Sequence, residues 1–287
     1  MLLHGHHALR TGPALLHARR PFVVSLGGTE AELIEQEPRQ AEVINAVFAA
    51  ARLVLVPHGG DSDLPALATL PKDKVRVVPR GLDVPAATPA MRHPLARGPL
   101  RERCGLGADV PLLLVPSGLR PGKDPLRAVR IVDGIRASGV PAHAAILGLP
   151  IDAAIVLQLA DAARSRPYLH LPAPFTADVM DAVYADADLV LNTSRFEGRS
   201  NALLEAQAAG RPVLATAIPA NLAGLSPRAA AAAFTDDASA IATAVAWLGS
   251  VELRREIARE GHAFVGERFG LDAERKALEA AWRDAVS

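Results

Sequence analysis

Short, nearly continuous apolar runs alternate along the chain with helix-length stretches whose apolar positions recur at helical spacing. Such runs are expected of parallel strands covered by helices on both faces, because a strand without a solvent side has no reason to alternate polar and apolar residues. They predict strands at 21–26, 53–57, 75–78, 112–116, 144–147, 168–171, 189–192 and 213–215, with a strand fragment at 1–4. The amphipathic stretches predict helices over 31–49, 124–137, 152–165, 176–185, 202–209, 237–248 and 251–265, and a final one over 272–286. The fold class is therefore α/β with parallel sheets.

Residues 85–98, PAATPAMRHPLARG, are rich in proline and alanine, carry no strand pattern and precede a fresh βαβ series. They read as a linker. It separates a first domain over residues 1–96 from a second over 98–268, and the helix at 272–286 is expected to cross back to the first. The halves are unequal. Five strands fall between 112 and 215, whereas the first half has three and a fragment, so the N-terminal domain is expected to be truncated by two or so βα units.

Composition narrows the functional classes. The 31 basic and 31 acidic residues cancel, so no global field draws the chain to nucleic acid or an anionic membrane, and a charged ligand must be held locally. Aromatics are only 4% of the chain, too few for the stacking platforms that bind single-stranded nucleic acid. Cys104 is the only cysteine, which excludes an internal disulfide or a cysteine-built metal site and fits a reducing, cytoplasmic setting. No window approaches the roughly 18 apolar residues of a membrane-spanning helix.

Two segments carry candidate chemistry. In SRFEGRSNALLEAQAAGRPVLAT, residues 194–216, a strand ends, a polar loop follows, Ser200 or Asn201 is placed to cap a helix from Ala202, and Gly210 is placed to end it. Such a loop lies at the carboxyl edge of a parallel sheet, where free amides at a helix N-terminus favour phosphate. Glu197 and Glu205 flank it, and carboxylates accept hydrogen bonds from the vicinal hydroxyls of a sugar or ribose. Taken alone, Glu197 reads more plainly as a local cap and Glu205 as a solvated helix residue. In VPSGLRPGKDP, residues 115–125, a strand enters a loop containing Gly118, with Arg120 and Lys123 before a helix opening at Asp124. Cations beside such a turn suit a diphosphate, although solvated surface charge is the plainer account of either one alone.

Together the two segments resemble the donor-binding domain of glycosyltransferase family 4, also called glycosyl transferases group 1. Glu197-Gly198 through Glu205-Ala206, followed by Gly210-Arg211-Pro212-Val213, matches that family's E-x7-E signature. Leu119-Arg120, Lys123-Asp124-Pro125-Leu126 and Ile218-Pro219-Ala220-Asn221 are similar to motifs of its glycosyltransferase 1 domain-containing branch and of the related selenosugar synthases, with Ala220 where those have glycine. In the first half, residues 7–12, HALRTG, resemble the branch's histidine-containing segment, and Leu26-Gly27-Gly28-Thr29-Glu30 its Gly-Thr-Asp motif with glutamate for aspartate.

The resemblance implies a GT-B fold, two Rossmann-like domains facing a cleft, and a retaining, metal-independent transferase. Its donor would be a nucleotide-sugar, by family frequency a UDP-sugar, and its acceptor is unknown. No cofactor is implied. Glu197 would hold donor-sugar hydroxyls and Glu205 the ribose. Arg120 and Lys123 would offset the leaving diphosphate, and the amides near Arg199, Ser200 and Asn201, with the Gly118 loop, would hold phosphate. His7 would contact the transferred sugar, with Gly28 and Thr29 lining the acceptor side. Rival readings are a selenosugar-synthase-like or epimerase enzyme on the same fold, or a non-catalytic nucleotide-sugar-binding subunit. The shortened first domain also suggests a homo-oligomer or a second subunit pairing through it. Asp61-Ser62-Asp63 and Asp186-Ala187-Asp188 have the D-x-D form that binds metal in another glycosyltransferase architecture. Asp186 and Asp188 precede a strand instead of ending one, which argues against that use here.

Overall fold

In the computed structural model of the chain, residues 1–27, 30, 33–34, 37–57, 67, 69–84, 98–197 and 200–286 are described. The chain divides into two units, one of Met1–Asp83, Glu197–Arg199 and Arg268–Ser287, the other of Val84–Phe196 and Ser200–Glu267. The linker stretch 85–97 and the Asp61-Ser62-Asp63 motif lie outside the described residues.

The first unit holds a four-stranded sheet in the order β1-β2-β3-β4, built from β1 (Leu3–His6), β2 (Phe22–Ser25), β3 (Leu53–Val56) and β4 (Val75–Val77). All pairings are parallel. The fragment expected at 1–4 is thus a complete strand shifted toward His6. Side chains of successive strand residues point to opposite faces, and the two faces have different covers. Phe22, Val24, Val54 and Val56 pack with Ala8, Ile44 and Phe48, whereas Val23, Leu53 and Leu55 meet Ala281 and Ala285 of the C-terminal helix Leu271–Val286.

Two helices of this unit depart from the sequence pattern. Within the span expected as one helix over 31–49, Leu33 and Ile34 are helical and α2 (Pro38–Ala50) opens at Pro38, because proline lacks the N–H that the first turn leaves unused and its fixed φ suits that position. No helix is expected over 8–18, where Gly12 and Pro13 lower helix propensity. Nonetheless α1 (Ala8–Ala18) forms there, since tertiary packing outweighs propensity. Gly12 lets α1 lie directly on Val47 of α2, whose side chain a Cβ at that position would strike.

The second unit holds a five-stranded parallel sheet in the order β7-β6-β5-β8-β9, from β5 (Leu112–Pro116), β6 (His143–Leu147), β7 (Leu169–His170), β8 (Leu189–Asn192) and β9 (Val213–Ala215). Its helices are α3 (Pro99–Cys104), α4 (Pro125–Ala137), α5 (Ala153–Arg164), α6 (Met180–Ala185), α7 (Asn201–Ala208), α8 (Pro219–Gly224), α9 (Pro227–Ala231), α10 (Asp237–Leu248) and α11 (Val251–Phe269). The uninterrupted LLLV of β5 is explained by burial on both sides. Leu113 and Val115 pack against Ile131 and Ile135 of α4, while Leu112 and Leu114 meet Leu100, Val183 and Tyr184. Truncating one such leucine to alanine costs about 2–5 kcal/mol. Among the described residues no helix is long and apolar enough to cross a membrane.

Candidate active site

The strand order places the site. From β5 the chain moves outward through β6 and β7, then returns to lay β8 and β9 on the other side of β5. The segments leaving β5 and β8 therefore diverge from neighbouring carboxyl ends, the arrangement that opens a ligand crevice in α/β sheets. The two segments are those singled out from the sequence, 117–124 and 193–200.

They are bound to each other. The Arg195 amide donates to the Gly122 carbonyl at 2.9 Å, and the Thr193 hydroxyl donates to the carbonyls of Asp124 at 2.9 Å and Lys123 at 3.2 Å. Asp124 joins them further. It sits at φ 42, in the left-handed region that aspartate tolerates better than most residues. One carboxylate oxygen accepts from the Arg127 amide at 3.3 Å, capping α4, and the other accepts from the Arg195 guanidinium at 2.8 Å. Sequence reasoning placed Asp124 at the helix opening but gave it no part in the site. Its position directly after Lys123 is the signal that could have found it.

Arg120 precedes a single turn, Pro121–Lys123, which Lys123 ends, and both are half-buried. The Arg120 guanidinium makes no ion pair among the described residues. Loop 117–119 is braced from β6: the Ser117 amide donates to Leu147 at 2.8 Å and the Leu119 amide to Leu149 at 2.9 Å. Gly148 makes this bracing close, since a Cβ there would run into the Ser117 carbonyl. Gly118 is tight in the same way against Ile151, 2.9 Å from where its Cβ would be.

The other loop is anchored at Asn192. Its side-chain oxygen Oδ1 accepts from the Ser194 amide at 3.0 Å and from the Asn221 side chain at 3.2 Å, and its Nδ2 donates to the Ser200 hydroxyl at 3.3 Å. Ser200 holds the cap position of α7, yet its hydroxyl takes this bond and does not cap the helix. The helix accordingly starts at Asn201, one residue before expectation, and Gly210, at φ 66, follows its end. Asn221, completely buried, also donates to the Thr216 hydroxyl at 2.9 Å, so the 218–221 motif holds the loop's floor. Glu205 is half-buried on α7 and accepts from the Tyr184 hydroxyl at 2.9 Å, which corrects any reading of it as a solvated helix residue. Glu197 is half-buried and belongs to the first unit, and Arg199 lies outside the described residues.

In the first unit His7 precedes α1 at φ 69, a conformation uncommon for a residue with a Cβ. Its ring packs on Gly27, where a Cβ would come within 2.8 Å. Its Nδ1 lies 3.4 Å from Glu30, whose fully buried carboxylate also accepts from the amides of Ala8 at 3.0 Å and Gly27 at 2.9 Å. Glu30 thus ties the segment after β1 to the one after β2, a part sequence reasoning did not assign to it. Gly28 and Thr29 lie outside the described residues.

The D-x-D at 186–188 lies at the opposite, amino edge of the second sheet. Asp186 accepts from the amides of Gly98 at 2.9 Å, Leu100 at 2.8 Å and Arg101 at 3.1 Å, and Asp188 accepts from the Arg101 guanidinium at 2.9 Å. Among the described residues no three His, Cys, Asp or Glu side chains cluster as metal ligands would.

Two parallel α/β units of this kind share the GT-B fold of solved glycosyltransferases. Residues 114–250 match the family described as glycosyl transferases group 1. It is 24% identical over 268 residues to glycosyltransferase 1 domain-containing protein 1 of Xenopus tropicalis, spanning 93% of this chain and 77% of that relative. It is 27% identical over 240 residues to the D-inositol 3-phosphate glycosyltransferase of Mycobacteroides abscessus, spanning 76% of this chain and 51% of the relative. Among solved structures, Anabaena HepE in complex with UDP shares the fold with a TM-score of 0.80 at 18% identity, over 98% of this chain and 78% of that one.

Proposed function

We propose that the protein transfers a sugar from a UDP-sugar donor, without a metal and with retention of anomeric configuration. The observation that carries this reading is the pair of loops laced together at the strand-order switch, presenting the Arg120 cation on one and leading into Glu205 on the other. A nucleoside diphosphate fits that chemistry. Arg120 and Lys123 offset the charge that grows on the diphosphate as the anomeric C–O bond breaks, and preset cations of this kind stabilise the transition state without reorganising. The amides opening α7, at Ser200 and Asn201, add to the phosphate cradle together with loop 117–119. Glu205 takes the ribose hydroxyls and Glu197 those of the sugar, while His7 meets the transferred sugar. The family match and the solved relatives in complex with UDP support the donor class.

Calorimetry tests the reading. Glu205→Ala and Arg120→Ala each weaken UDP binding by about 1.5–3 kcal/mol, the range for hydrogen bonds to charged groups. EDTA leaves the affinity unchanged. Glu197→Gln keeps UDP affinity within a few-fold while transfer or donor hydrolysis falls much further, because its contacts are to the sugar alone. Native UDP affinity in both Glu205→Ala and Arg120→Ala would remove the donor-site assignment.

A further inference from the structure

We propose that Tyr184 is a positioning residue for nucleotide recognition, its hydroxyl orienting the Glu205 carboxylate so that the carboxylate's other oxygen meets the ribose. The inference rests on the donor-site reading above and adds a residue that neither glutamate motif contains.

Tyr184 lies on α6, 1% exposed, in the core formed by Leu100, Val183, Leu203 and Ala206. Close packing leaves such a ring one orientation, so its hydroxyl is a fixed donor. It donates to Glu205 Oε2 at 2.9 Å, from α6 to α7. An ionised carboxylate accepts at both oxygens, and Glu205 Oε1 takes no hydrogen bond from any described residue. Freely rotating, a half-buried glutamate would lose side-chain entropy on binding a diol. Held at one oxygen, it has lost that entropy in advance. Burial and the adjacent Glu205 charge both push the Tyr184 hydroxyl well above its ordinary range, so it stays protonated and donating across neutral pH. A buried tyrosine needs some partner for its hydroxyl. Here the partner is the side chain on which ribose recognition depends.

The test compares UDP with 2′-deoxy-UDP on the full-length chain by calorimetry, with thermal melting as a check on folding. The unaltered protein prefers UDP, and Glu205→Gln removes most of that preference. Tyr184→Phe keeps the ring in the core and removes only the donor. It should weaken UDP about 5- to 10-fold, leave 2′-deoxy-UDP within about twofold, and so narrow the preference, as loss of one oriented hydrogen bond predicts. Adding Tyr184→Phe to Glu205→Gln should narrow the preference no further, since both changes act through one contact. Equal weakening of both nucleotides by Tyr184→Phe would mean a merely structural tyrosine and overturn the inference. An unchanged preference in Tyr184→Phe, with Glu205→Gln still losing it, overturns the role of Tyr184 and leaves the donor site standing. An unchanged preference in Glu205→Gln itself removes the ribose assignment, and the inference with it.

Discussion

The two ends of the second unit's sheet both gather charge, and they use it in opposite ways. At the amino end most of the charged groups are paired inside the protein. Arg101 is fully buried and donates to the carbonyls of Asp186, Gly107 and Val110 as well as to Asp188, which also accepts from the Leu112 amide that begins β5. Arg211 is buried beside them and donates to the Ala185 carbonyl, with burial pulling its guanidinium down to about 10. At the carboxyl end, Arg120 has no ionic partner among the described residues, and Glu205 keeps one carboxylate oxygen without a hydrogen bond from them. Buried charge is costly unless it is paired, whereas charge meant for a ligand stays incompletely satisfied until the ligand arrives. A D-x-D motif therefore carries no functional meaning until its end of the strand is known.

Breaking the amino end should have the largest effect. Arg101→Met removes the nearest cation from Asp188 and strands several carbonyls, and unfolding in urea should show a loss of about 3–5 kcal/mol, the cost of removing one partner of a buried pair. Arg120→Ala, by contrast, should unfold within about 0.5 kcal/mol of the native chain, as surface substitutions do. If the two variants exchanged these behaviours, the assignment of the two ends would be reversed. An intermediate effect is expected for Gly148→Ala. Its Cβ would collide with the Ser117 carbonyl, so stability should fall by about 1–3 kcal/mol and UDP affinity should fall with it as loop 117–119 shifts. Unaltered UDP affinity in Gly148→Ala would show that this loop is not part of the site.

The smallest effect concerns Cys104, on α3 at the amino end. Burial, followed by the charge of Asp186, raises its thiol to about 11 from the ordinary 9.0. The folded chain holds that proton through a pH range in which the unfolded chain releases it. The contribution is therefore complete below pH 9 and is lost as pH rises toward 11. At pH 8, alkylation of the folded protein should run roughly tenfold or more below that of the chain in urea. Rapid alkylation of the native chain would mean that this end is open.

Much of this was legible in the amino-acid sequence because it depends on local spacing. The LLLV run of β5 requires a strand buried on both faces, and the alternation of such runs with amphipathic stretches requires parallel α/β architecture. The seven residues between Glu197 and Glu205, and the nearness of Arg120 and Lys123 to a strand end, likewise mark a candidate site without coordinates. Other features arise only when distant segments meet. The helix α1 survives Gly12 and Pro13 because Val47 lies against it, and the second face of the first sheet is closed by Ala281 and Ala285, more than 200 residues along the chain from Leu53 and Leu55. The bond from Tyr184 to Glu205, the link from Glu30 to His7 and the capping of α3 by Asp186 are of the same kind. Periodicity reports that a side chain is turned inward, and spacing reports that two groups share a segment. Which group an inward side chain then touches depends on strand order and helix packing, and for Glu205 that contact separates a solvated glutamate from one already aimed at a ligand.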